Sequence, residues 1–89
     1  MSDIDQTLAG RKKTHGSFKE HAGVAQALKD SLRGHAGWCE LTWEQREAVD
    51  MICHKLARII AGNPNEPDHW HDIIGYARLV EKAISHEEI

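Results

Sequence analysis

The sequence predicts an all-α fold, a compact bundle of about four helices. Apolar residues recur at helical spacing through most of the chain, and no run alternates convincingly with period two. Glycine- and proline-containing breaks then divide the chain into segments of helical length.

The first helix is expected from about Asp3 to Lys13. Ser2 followed by Asp5 resembles a capping box with a shortened acid, and Ile4 and Leu8 share a face. Thr14-His15-Gly16-Ser17 breaks it: Gly16 frees the turn and Ser17 can cap the next helix. The second helix runs from about Phe18 to Arg33, with Phe18, Ala22, Ala25, Leu28 and Leu32 in one stripe and Gly34 at its end. Thr42 with Gln45 forms a capping box that opens the third helix, Trp43 to Ala61. Val49, Ile52, Cys53, Leu56, Ile59 and Ile60 form its apolar side, with Glu47, Asp50, His54 and Arg58 opposite. Gly62-Asn63-Pro64 stops it, because glycine caps and proline cannot continue a helix. The fourth begins after Asp68 as N-cap, with Ile73, Tyr76, Ala77, Val80 and Ile84 as its core stripe. Trp43, Trp70 and Tyr76 are expected as core or rim anchors.

The 89 residues allow one domain and one modest core, with residues 1–2 and 85–89 fraying. No apolar run reaches the ~18–20 residues that span a bilayer. The acidic, apolar-poor start does not read as a secretory signal, so a cytoplasmic protein without membrane contact is expected. Residues 1–36 carry six Lys/Arg against four Asp/Glu, and residues 37–89 carry five against ten. That acidic excess argues against broad nucleic-acid binding, which needs a basic face. Two isolated cysteines, Cys39 and Cys53, read as free thiols rather than as a disulfide framework.

Two sets of residues could carry chemistry. Arg11, Lys13 and His15 flank the Thr14–Gly16 turn, and Lys55 and Arg58 stand three apart. Helix N-termini and glycine turns offer N–H groups to anions, so Arg11, Lys13, Thr14, His15, Lys55 and Arg58 are candidate phosphate contacts. Structural ion pairs with Asp68 or Asp72 are the alternative. Glu47 and Asp50, three apart, and Asp68 and Asp72, four apart, are candidate Mg²⁺ ligands. An antiparallel pairing of the last two helices would put those pairs toward opposite ends of the hairpin, so one cage would need another crossing or a second subunit. Zinc is not expected: His69 and His71 diverge by about 200° on one helix. No Cys–His spacing supports a nucleophile.

Arg11-Lys12-Lys13-Thr14-His15-Gly16-Ser17-Phe18, Arg46-Glu47-Ala48-Val49-Asp50-Met51-Ile52, His54-Lys55-Leu56-Ala57-Arg58-Ile59, Gly62-Asn63-Pro64-Asn65 and Asp68-His69-Trp70-His71-Asp72-Ile73-Ile74-Gly75-Tyr76-Ala77 resemble a family of small phage- and prophage-encoded proteins catalogued as a domain of unknown function. More distantly the arrangement is similar to the MazG-like all-α nucleoside triphosphate pyrophosphatases. Glu47-x-x-Asp50 resembles one half of their acidic motif. Asp68 to Asp72 matches the other only loosely, with a spacing of four and without the paired glutamates. The resemblance implies nucleotide or phosphate binding, with a Mg²⁺-dependent pyrophosphohydrolase as the enzymatic version, and a homo-oligomer as one assembly. The alternative is a non-catalytic protein that binds a host or phage protein in the host cytoplasm.

Overall fold

The computed structural model describes residues 2–86, apart from the side chain of Thr14. The expected fraying at Met1 and residues 87–89 therefore lies outside the described residues. Four α-helices succeed one another: α1 (Asp3–His15), α2 (Phe18–Arg33), α3 (Trp43–Ile60) and α4 (Pro67–Ile84). No strand occurs among the described residues. A short 3₁₀ turn, Ala36–Glu40, fills the glycine-rich connection that the sequence reads only as a break. His35 caps that turn through its Nδ1, which accepts from the Gly37 N–H at 2.9 Å.

The caps explain the boundaries. Ser2, Ser17 and Thr42 each accept a backbone N–H from three residues on, and Gln45 completes a reciprocal capping box with Thr42. The first helix continues two residues past Lys13, to His15, because the left-handed φ of +81° falls at Gly16. The fourth starts earlier than Asp68. Glu66 is the N-cap without a side-chain bond, and Pro67 takes the first helical position, where its missing N–H costs nothing.

Helix α3 is the centre, packed between α2 and α4, while α1 packs on α2 and α3 and meets α4 through the His15–His69 ring contact. His21 and Arg33 of α2 lie by His54 and Asp50 of α3, and Asp72 and Tyr76 of α4 lie by Lys55 and Ala48, so both neighbours run antiparallel to α3. This sandwich redistributes the core. The buried apolar residues are Ala25, Ala48, Cys53, Ala57 and Ile59, mostly small side chains that permit close approach of helix axes. The expected stripes are only partly right. Phe18 is 76% and Ile60 73% exposed, and Leu32, Ala77 and Ile84 are exposed too. Ile52 and Leu56 are half-buried rather than central. Two contact lines along α3 cover its polar side as well as its apolar one, which half-buries Asp50, His54 and Arg58.

One backbone contact fixes where the α1–α2 turn sits. A Cβ added at Gly16 would lie 1.9 Å from the Ala61 carbonyl oxygen. A Cβ at Gly62 would lie 2.4 Å from the His15 carbonyl. The turn is pressed onto the C-terminal end of α3 at a distance that only paired glycines allow.

Candidate functional site

That glycine contact brings three helix ends together: the C-termini of α1 and α3 and the N-terminus of α2. Between them lies a cleft of about 450 Å³. Arg11, Lys12, His15, Ser17, His21, His54 and Arg58 supply its polar lining, and Leu8 and Phe18 its apolar wall. No carboxylate lines it.

Several of these groups have a structural reason to be here. Lys12 and Arg58 occupy last helical turns, where a cation offsets the negative end of the helix dipole. Ser17 spends its hydroxyl on the Glu20 N–H, leaving the first N–H groups of α2 pointing outward from the helix start. The imidazoles have no such account. His15 packs on the buried His69 with ring centroids 5.0 Å apart, and His21 faces both Phe18 at 5.3 Å and His54 at 6.1 Å, edge to face. His15 Nδ1, His21 Nδ1 and Arg58 Nε are buried and have no hydrogen-bond partner within the described chain.

Electrostatics reflect that crowding. Burial, then the Arg58 charge, lowers the pKa of both His15 and His21. His54 is pushed furthest, to about 4, by burial first and then by Arg58, Lys29, Lys55 and His21. Arg58 is itself lowered by burial and by Arg11, with Asp72 acting the other way. Near neutral pH the cleft therefore carries neutral imidazoles among fixed guanidinium and ammonium charges.

The sequence-derived phosphate set divides. Arg11, His15 and Arg58 line the cleft. Lys13 is exposed and does not line it, and the side chain of Thr14 lies outside the described residues. Lys55 is turned toward α4, where it pairs with Asp72 at 2.8 Å. Sequence reasoning points to Lys12 through the Arg11-Lys12-Lys13 cluster but misses His21 and His54. Their signal is present: His54 precedes Arg58 by four residues, and His21 stands four after Ser17, so each pair shares a helical face.

The acids are dispersed. Asp50 is gripped by the Arg33 guanidinium, whose Nη2 donates to both carboxylate oxygens at 3.1 and 3.0 Å. Asp72 is held by Lys55, whose hydrogen bond keeps the carboxyl below its usual pKa. Asp68 is exposed in the first turn of α4, and Glu47 is exposed in the second turn of α3. Among the described residues no three His, Cys, Asp or Glu side chains form a group that could hold a metal ion. Glu47, Asp50, Asp68 and Asp72 thus do not fit a Mg²⁺ cage within one chain. Cys39 is exposed, and burial together with Asp50 pushes the Cys53 thiol upward, away from a reactive thiolate.

At the opposite end of α3, Trp43 is 82% exposed rather than packed as an anchor. It is the first residue of its helix, and the Arg46 guanidinium lies over its ring at 5.2 Å. Trp70 is half-exposed, its Nε1 donating to the Pro64 carbonyl at 2.8 Å. Among the described residues no helix is long and apolar enough to cross a membrane.

No curated protein and no solved structure matches the chain. A family described as a domain of unknown function, DUF6378, matches residues 1–84. With nearly the whole chain covered, this protein belongs to that family.

Proposed function

We propose that this DUF6378 protein is a small-ligand binding protein that takes the phosphate of a nucleotide into the cleft between α1, α2 and the C-terminal end of α3. The observation that carries the proposal is the lining: Arg11, Lys12, Arg58 and three imidazoles with no carboxylate among them. The unpartnered nitrogens of His15, His21 and Arg58 add to it, since buried polar groups are costly unless bonded. An anion there gains charge-assisted hydrogen bonds and meets the α2 N-terminus, while Lys12 and Arg58 offset the opposing negative ends of α1 and α3. Its arrival also raises the imidazole pKa values, so His15 and His21 become donors as the ligand binds.

The cleft volume of about 450 Å³ lies within the range of small-molecule sites. Phe18, largely exposed at its edge, offers a face on which a planar base can stack. That combination favours a nucleotide over a free anion, as does the resemblance to phage-encoded and MazG-like proteins. We confine the proposal to binding. Mg²⁺-dependent hydrolysis would need carboxylates that a single chain does not assemble around this cleft.

The test is calorimetric titration of the full chain with inorganic pyrophosphate and with nucleoside triphosphates, in metal-free buffer. Binding is expected for both, tighter for the nucleotides. Arg58→Gln should weaken both by about tenfold or more, since a hydrogen bond to a charged group contributes ~1.5–3 kcal/mol. Phe18→Ala should weaken only the nucleotides. Absence of binding to any of them at millimolar concentration would overturn the reading.

A further inference from the structure

We propose that the meeting point of the four helices is a proton-operated latch, which acid opens so that α1 and the α1–α2 turn lift off the end of α3. Each helix brings one imidazole to this point: His15 from α1, His21 from α2, His54 from α3 and His69 from α4. His15 lies on His69 with ring centroids 5.0 Å apart, and His21 meets His54 edge to face at 6.1 Å. His21 and His69 are buried. The Nδ1 atoms of His15 and His21 have no hydrogen-bond partner among the described residues.

The charges around the joint fix the sign of its response. Helix α1 brings Arg11 and Lys12 to the cleft, α2 brings Lys29, and α3 brings Lys55 and Arg58. Arg58 acts on His15, His21 and His54 alike, Lys55 on His15 and His54, and Lys29 on His54. From α4 come His69 itself and Asp72, which Lys55 engages at 2.8 Å. No carboxylate lines the cleft. A histidine facing an acid would tighten the joint on protonation. Here each added proton places a cation among cations, and burial opposes it as well. The pKa values of His15, His21 and His54 all lie below the ordinary one, so the open form, where water reaches the rings, takes up these protons first. Falling pH then shifts the balance toward opening, by up to about tenfold per pH unit for each proton taken up.

Helix α1 is the part placed to move. Every residue from Asp3 to Lys13 is exposed, so the helix is held at its C-terminal end, by His15 on His69 and by Gly16 against Ala61. The other helices keep ties of their own: Arg33 with Asp50 between α2 and α3, and Lys55 with Asp72 between α3 and α4. Opening therefore precedes global unfolding. It needs no ligand, so it stands or falls apart from the phosphate reading.

The test is nuclear magnetic resonance of the full ¹³C,¹⁵N-labelled chain, in buffer without phosphate or sulfate, stepped from about pH 7.5 to about pH 4. Nuclear Overhauser contacts between Gly16 and Ala61 or Gly62 are expected at the upper end. They should be lost reversibly between pH ~6.5 and about 4, the ordinary histidine value and that of His54. Hydrogen-exchange protection at Gly16 and His21 should fall at least tenfold over the same window, while residues 50–57 and 73–82 keep theirs. His15→Gln, His21→Gln and His54→Gln each remove a titrating ring, and each should hold the contacts to lower pH. Where a variant loses its fold, the order of loss in the parent decides. Gly16 contacts that persist to pH 4 would overturn the proposal. So would simultaneous loss of protection in all four helices, or folded variants that keep the parent's pH profile.

Discussion

The two ends of α3 invert the usual relation between polarity and burial. At its C-terminal end the best-buried large side chain of the described chain is His69, 1% exposed, with His15, His21, His54 and Arg58 crowded nearby. At its N-terminal end the largest apolar side chain, Trp43, is left in the open beside Leu79 and Ile84. The C-terminal end encloses imidazoles beside an exposed Phe18 and Ile60, and the N-terminal end leaves Trp43, Leu79 and Ile84 open. Both departures are costly in an isolated, unliganded chain. On the proposed reading, an anion at the basic end would offset the first of these costs. The difference teaches that burial in this domain follows where the helix ends meet rather than side-chain polarity alone.

Substitutions and conditions can break or sharpen this contrast. The largest effect is expected at the polar end, from Gly16→Ala. The left-handed φ adds ~1–2 kcal/mol of strain and the collision with Ala61 a further ~1–3 kcal/mol. At ~4–8 °C per kcal/mol, thermal unfolding should fall by more than about 10 °C. Gly23→Ala is the control. It lies inside α2 with nothing within 4 Å of its added Cβ, and should stabilise by ~0.5–1 kcal/mol.

Acid should come next. The folded-state pKa values of His15, His21 and His54 lie below the ordinary histidine value, so the unfolded chain binds these protons first. Stability should be complete above pH ~6.5 and decline as the pH falls toward about 4, the His54 value. Sulfate, charged throughout that range, should bind more tightly as the pH drops and should offset the loss. A melting temperature that is flat from pH 7 to 5, with and without sulfate, would separate the imidazoles from both stability and binding.

Leu56→Ala should cost less than a central core truncation. The residue is half-buried, so the loss belongs at or below the ~2 kcal/mol lower edge for buried leucines. Calorimetric unfolding checks this. The smallest change is expected for Asp72→Asn, which removes the partner of Lys55 at a carboxylate that remains open to water. It should lower the melting temperature slightly at neutral pH. The difference from the parent should vanish in strong acid, where the Asp72 carboxyl is protonated anyway, because its folded-state pKa is depressed and its contribution is lost as the pH falls through it.

Much of the backbone is legible in the sequence because helix ends are local chemistry. Ser17, Thr42 with Gln45, and Gly62-Asn63-Pro64 announce boundaries that need no tertiary knowledge. The core is less legible. Periodicity finds which residues share a face, but not whether that face meets a neighbour, so Phe18, Leu32, Ile60 and Ile84 are expected inward and lie outward. Nor does it show that a helix is covered on both sides, which is why His54 and Arg58 look like a solvated face. The basic cleft is half-legible. Arg11 and His15 flank a recognisable turn, whereas their meeting with Arg58 depends on Gly16 lying against Ala61, a contact between residues 45 positions apart.

The central claim, that the polar end of α3 is an anion site and the apolar end is not, is tested most directly by amide chemical-shift mapping. The full ¹⁵N-labelled chain would be titrated with inorganic pyrophosphate. Saturable shifts should concentrate at His15, Gly16, Ser17 and Phe18 and around His54 and Arg58, with residues 43–48 and 76–83 unmoved. Shifts centred on the Trp43–Leu79 face, or none at millimolar pyrophosphate, would contradict it.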